Sequence, residues 1–205
     1  MVGVIGIPLD ENSSFLRGAA HAQYPRLLAL GGDHSISYPV IKAVAQRYTR
    51  LNVLHIDAHA DLYESFEGNR FSHAYPFARL MEEKCVHRLV QVGIRTLNPH
   101  QREQAQRFGV DVVEMKNFSK NQKFSFEGPV YLSLDLDALD PAFAPGVSHP
   151  EPGGLTTRNV ISLIQRKQGE LVGADVVELN PARDLNGITA LIAAKFFKEI
   201  LARLV

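Results

Sequence analysis

The sequence has no tryptophan, one cysteine and no net charge. A single thiol, Cys85, excludes an intrachain disulfide and fits a reducing compartment. The 22 basic side chains are matched by 22 acidic ones, so nothing in the charge balance points to a nucleic-acid or membrane surface. No apolar run approaches the roughly 18 residues of a transmembrane helix. The opening stretch, MVGVIGIPLDENSS, lacks a basic n-region and turns acidic at once, so it does not read as a signal peptide. A cytoplasmic location is the resulting expectation. Repeats, low-complexity tracts and linkers are also missing, which predicts one domain over residues 1–205.

What is present is a rhythm. Short apolar runs alternate with stretches of helical period. The runs 2–7, 26–32, 51–56, 88–94, 110–115, 129–136 and 171–179 read as strands. The stretches 38–48, 76–84, 99–109, 156–167 and 187–205 read as helices, with Thr156 or Thr157 as an N-cap and Gly109 as a stop. Strands apolar throughout and separated by helices predict an α/β fold: a three-layer parallel sheet flanked by helices on both faces. In such sheets ligands bind beyond the carboxyl ends of the strands.

The polar clusters fall at those ends. GGDHS follows the second run, DAHAD follows LNVLHI, DLDALD closes the sixth, and Glu178 closes the seventh. In extended chain, residues two apart point the same way, so Asp57, His59 and Asp61 are expected to converge, as are Asp135 and Asp137. Taken singly, each cluster has a plain explanation. Asp-Xaa-Asp after a strand is ordinarily a turn or cap, and GGDHS a tight turn. Together they bring four carboxylates and two imidazoles to one rim. Such carboxylates repel unless cations sit between them. The set His34, Asp57, His59, Asp61, Asp135 and Asp137 suffices for two divalent ions that share bridging carboxylates. Oxygen-rich ligation without thiol favours Mn²⁺ over a structural Zn²⁺ site. His55 lies in the same alternation but reads as a core histidine. His21, His87 and His100 read as surface or packing residues, and His149 has no partner nameable from sequence.

LGGDHS, DAHAD, SLDLDALDPAFAPGVSHPEPGG and GADVVELNPARD, in this order, resemble the ureohydrolase family of arginases, agmatinases and related guanidino hydrolases. EGNRFSHAYPFARLMEE and VQVGIRT are most similar to its plant-type arginase/agmatinase branch. The resemblance runs from residue 29 onward. It implies an arginase-like fold and a small guanidino substrate, either agmatine or arginine, cleaved to urea and an amine. It implies two Mn²⁺ per chain: His34, Asp57, Asp61 and Asp135 would hold one, and His59, Asp57, Asp135 and Asp137 the other, with Asp57 and Asp135 bridging. His73 matches the family's proton-shuttling histidine, Glu178 its guanidinium-binding carboxylate, and Asp61 joins them as a catalytic group. Asn69, with Ser65 and Ser72, lies in the loop expected to frame the substrate's far end. A homo-oligomer, trimer or hexamer, is also implied. Guanidine, guanidinobutyrate or a catalytically inactive metal-binding relative stay open as alternatives.

The chain departs from that family in one place. Residues 6–22 resemble the start of a longer family stretch and 23–35 its end, so a segment is expected to be missing near residues 20–25. It carries none of the proposed ligands.

Overall fold

The computed structural model describes residues 2–6, 26–64, 71–166 and 169–205. Seven strands among them form one sheet: β1 (Val2–Gly6), β2 (Arg26–Leu30), β3 (Asn52–Ile56), β4 (Arg88–Ile94), β5 (Asp111–Glu114), β6 (Pro129–Asp135) and β7 (Glu170–Val177). Every pairing is parallel, and the order across the sheet is β1-β2-β7-β6-β3-β4-β5. After β2 the chain crosses to β3, steps outward to β5, then returns to lay β6 and β7 in the middle. The four strands that end in polar clusters are therefore consecutive neighbours, β2-β7-β6-β3.

Among the described residues five helices cover the sheet: α1 (Ser37–Ala45), α2 (Pro76–Glu82), α3 (Pro99–Phe108), α4 (Thr157–Gln165) and α5 (Ile188–Leu204). Their ends follow from local chemistry. Pro76 and Pro99 sit at first-turn positions, where a missing N–H costs nothing. The Asn98 side chain accepts from the Gln101 N–H to cap α3, which stops at Gly109 in the left-handed region. Thr156 and Asn159 form a reciprocal capping box on α4. No helix among the described residues is long and apolar enough to cross a membrane.

Two apolar clusters lie on opposite sides of the sheet. One joins Ile41, Val44, Phe77, Leu80 and Ala105 of α1, α2 and α3 to strand residues such as Val53 and Leu89. The other joins Ile161, Ile164, Phe196 and Ile200 of α4 and α5 to Leu54, Leu132 and Val176. This is the three-layer α/β architecture that alternating strands and helices predict. It buries both faces of the sheet and leaves one edge of the layers, where the strands end, open for a site. The expected missing segment near residues 20–25 falls outside the described residues.

Candidate metal centre

Each site residue leaves its strand through a short turn. His34 opens a 3-10 turn, His34–Ile36, beyond β2, and the Asp33 side chain caps it by accepting from the Ser35 N–H at 3.0 Å. Asp57 directly follows β3, and its Oδ1 accepts the His59 N–H at 2.7 Å. Asp135 ends β6 and its Oδ1 accepts the Asp137 N–H at 2.7 Å, which winds Leu136–Ala138 into another 3-10 turn. Glu178 follows β7, with its N–H bonded to the Gly32 carbonyl at 2.7 Å.

The ligand candidates do come together, but not by strand alternation. Strand β3 ends at Ile56, before Asp57, His59 and Asp61. The carboxylates accept backbone N–H groups two residues on, and this bends the chain into turns. Asp61 is brought back to His34 by a left-handed backbone, φ 51°. Glu178 is also left-handed, φ 68°. A non-glycine residue in that region costs about 1–2 kcal/mol, and two such residues stand at this one rim. Beside them, Gly93 runs at φ 100°, and a Cβ there would lie 2.8 Å from the Asp57 carbonyl oxygen. Only glycine lets β4 pass so close to the start of the Asp57 turn.

The centre has two halves. Buried His34 turns Nδ1 toward Oδ2 of Asp57, Asp61 and Asp135, at 3.1, 3.2 and 3.1 Å. These are ion-pair distances, yet Nδ1 is aligned with none of the three as a hydrogen bond. In the other half, His59 Nδ1 lies 3.0 Å from Asp137 Oδ2 and 3.5 Å from Asp57 Oδ1. Asp57 offers one oxygen to each half, as a bridging carboxylate must. An unaligned imidazole nitrogen facing three carboxylate oxygens is the donor arrangement of a cation site. By that test the His34 group fits a divalent cation, and Asp57, His59 and Asp137 lie close enough together to hold another.

Electrostatics agree with that fit. Burial, then the charges of Asp137 and Asp57, holds the Asp135 carboxyl well above its usual range. Burial and Asp57 raise Asp137 to about 7. Burial opposes the charge on His34, but its contacts with Asp135, Asp57 and Asp61 outweigh that and raise it well above an ordinary histidine. Burial likewise works against His59, which Asp137 and Asp57 nonetheless carry up to about 12. Asp57 alone is held well below its ordinary value, because His55, His34 and His59 overcome its burial. The protein by itself thus answers crowded negative charge with bound protons, which a metal ion would displace.

His55 is a core histidine with a second contact that sequence does not reveal. It is fully buried, and its Nε2 lies 2.7 Å from Asp57 Oδ2. The Gln91 amide nitrogen donates to the Ala60 carbonyl at 2.6 Å and meets His55 Nδ1 at 3.1 Å. That amide leaves Nδ1 as acceptor and Nε2–H as donor to Asp57. His55 and Gln91 therefore orient a ligand rather than serve as ligands.

Above the centre, Asp33, His73, Ser148, His149, Glu178 and Asn180 line an open pocket. Burial lifts the Glu178 carboxyl to about 8 against the pull of His34, whose backbone N–H donates to Glu178 Oε1 at 2.9 Å. The His73 ring stacks on His149 with centroids 5.3 Å apart, and His149 stands 6.0 Å from His59. His149 is thereby a rim residue. His87 and His100 lie away from the centre, against Arg50 and Tyr63. Asn69 and Ser65, like His21, lie outside the described residues, while Ser72 is beside His73.

The structure is thus a parallel α/β sheet with carboxylates and imidazoles gathered at the ends of its middle strands. The sequence model of the Arginase family matches residues 19–202, and the chain belongs to that family. It is 52% identical over 189 residues to a protein named "Arginase 1, mitochondrial" from Arabidopsis thaliana, a match covering 87% of this chain and 55% of that protein. It is 40% identical over 192 residues to "Guanidino acid hydrolase, mitochondrial" from Homo sapiens, covering 86% and 54%. Among solved structures, the arginase from Medicago truncatula superposes with a TM-score of 0.80 at 47% identity, over 87% of this chain and 60% of that one. The chain spans about half the length of the curated relatives it matches.

Proposed function

We propose that this chain is the core of a dimanganese ureohydrolase that cleaves arginine or agmatine to urea and an amine. The observation that carries the reading is His34 Nδ1 facing three carboxylate oxygens, with Asp57 shared between two donor groups. His34, Asp57, Asp61 and Asp135 would hold one ion, and His59, Asp57, Asp135 and Asp137 the other. Oxygen-rich donors without thiol suit Mn²⁺. Divalent cations held there would supply the Lewis acidity that makes a water nucleophilic enough for a resonance-stabilised guanidinium.

The chain's own groups do the rest. Glu178, buried beside the pocket, offers a charge-assisted bond to the planar guanidinium, which in turn keeps its carboxylate ionised. Asp61 accepts a hydrogen bond from the nucleophile and later helps protonate the departing amine. His73, half-buried at the rim, exchanges protons with solvent.

A second substrate class has specific support. Two relatives differ in name, one an arginase and one a guanidino acid hydrolase, so guanidinobutyrate and guanidine belong in the same assay. Urea release from Mn²⁺-loaded protein on arginine, agmatine, guanidinobutyrate and guanidine ranks them. Metal uptake without urea from any of the four would refute the hydrolase reading in favour of an inactive metal-binding relative. The proposal includes a homo-oligomer, a cytoplasmic location and one domain interrupted near residues 20–25. Light scattering, cell fractionation and transcript sequencing across that join test these in turn.

A further inference from the structure

One register row crosses the middle of the sheet with a polar side chain on each of four strands. Asp175 of β7 pairs with Ser133 of β6, Ser133 with His55 of β3, and His55 with Gln91 of β4. All four are fully buried. Strands of a parallel sheet covered on both faces are normally near-continuous aliphatic runs. Burying polar groups is costly unless they are hydrogen-bonded, so their bonds indicate what the row is for. His55 and Gln91 lead to Asp57. Asp175 and Ser133 have no part in the reaction described above, and their bonds lead to His34.

The protons can be followed one at a time. The Tyr131 hydroxyl donates to Asp175 Oδ2 at 2.9 Å, and the Ser133 hydroxyl donates to Asp175 Oδ1 at 2.7 Å. A hydroxyl has one hydrogen to give, and that of Ser133 is committed to Asp175. In its 2.9 Å contact with His34 Nε2, Ser133 Oγ must therefore accept, so Nε2 carries the hydrogen. Its other neighbour, Ser37 Oγ, is 3.5 Å away and does not compete. Any cation that displaces a proton from this imidazole then takes it from Nδ1, the atom turned toward Asp57, Asp61 and Asp135.

We propose that Ser133 and Asp175 are positioning residues for the metal centre: through the chain His34 Nε2–H to Ser133 Oγ–H to Asp175 Oδ1 they fix the tautomer and rotation of His34, making Nδ1 its ligand atom. This rests on the metal reading of the centre. Partners of this kind around a ligating histidine typically change metal affinity about 10–100-fold when removed. The effect is confined to one ion, because His34 approaches only one of the two donor groups that lie around Asp137 and Asp61.

The test compares wild-type protein with Ser133→Ala, Ser133→Thr and Asp175→Asn. Each is stripped of metal, checked for folding by its melting temperature, and titrated with Mn²⁺ by calorimetry and electron paramagnetic resonance. Asp175→Asn is nearly isosteric, but its amide can donate to Ser133 and reverse the chain. The expected result for Ser133→Ala and Asp175→Asn is about 10–100-fold weaker binding of one ion, with the other unchanged. The resonance spectrum at two equivalents should then show isolated Mn²⁺ where wild type shows a coupled pair. Ser133→Thr, which keeps the hydroxyl, should recover the coupled spectrum. Wild-type affinity for both ions in the folded Ala and Asn variants would overturn the assignment. So would an equal loss at both sites in step with a lower melting temperature, the mark of a merely structural role. Wild-type protein that takes up no divalent cation would overturn the metal reading itself, and this assignment with it.

Discussion

Two side chains at the rim do not contact His34 as ligands do, and they separate chemistry from metal binding. Glu178 is held by its own backbone bond to Gly32 and by the His34 N–H on its carboxylate. Glu178→Gln keeps the shape and the left-handed backbone but removes the charge that would face a guanidinium. A hydrogen bond to a charged group is worth about 1.5–3 kcal/mol. Turnover efficiency on the best substrate should therefore fall at least about tenfold, at about 1.4 kcal/mol per decade, while metal analysis still finds both ions. His73→Asn should slow turnover by about 10²–10⁴-fold, the usual contribution of a positioned acid–base group, and added imidazole should restore part of it. Variants that melt earlier yet release urea at the wild-type rate per metal-loaded molecule would reduce both residues to packing roles.

At the scale of elements, the turn after β6 is held by a clamp just past the end of β4. Arg95, half-buried, donates to the carbonyls of Asp137 at 2.7 Å, Ala138 at 3.3 Å, Leu139 at 3.2 Å and Glu151 at 2.6 Å. One planar guanidinium thus ties the Asp137 turn to the 140–154 loop that carries His149. Asp140 secures the same loop from below, accepting the N–H groups of Ala142, Gly153 and Gly154. A lysine has three donors on one nitrogen and cannot span these carbonyls. Arg95→Lys should cost about 1–3 kcal/mol, seen as a melting temperature lower by about 2–12 °C for a chain of this size. The ion held by His59 and Asp137 should also bind more weakly. Unchanged melting and unchanged metal affinity would show that the clamp is dispensable.

For the molecule as a whole, the centre's protonation sets how it takes up metal. Without a cation, Asp135 and Asp137 are pushed up, Asp137 to about 7, and His34 and His59 are held protonated by their carboxylate neighbours. Those protons must leave when metal enters, so affinity should rise with pH. Calorimetric titration from about pH 6 to about pH 8, in buffers of different ionisation enthalpy, should register proton release and tighter Mn²⁺ binding at the upper end. Binding that is flat across this range, with no protons released, would contradict the crowded-carboxylate picture. The predicted homo-oligomer belongs to this scale as well. An active monomer throughout the micromolar range in light scattering would refute it.

Much of the molecule is determined locally, and that part is legible in the sequence. Strand β4 spans 88–94 as its apolar run predicts, and α4 and α5 lie within a residue or two of their expected ends, because caps, prolines and apolar period act over a few residues. Asp57, Asp61, Asp135 and Asp137 stand out because several such clusters follow strands of one domain, where any one alone would read as a turn or cap. Register across strands is not local, and only the tertiary structure decides it. Ser133, Asp175 and Gln91 each read as one polar residue in an apolar run. They become a supporting layer only when β7, β6, β3 and β4 align them in one row. Alternation along an extended chain also misses how the carboxylates converge, since the capped turns and the left-handed Asp61 arise where strand pairing has already ended. The donor atoms are thus chosen by residue type along the chain, and their direction by the bonds that distant strands make with one another.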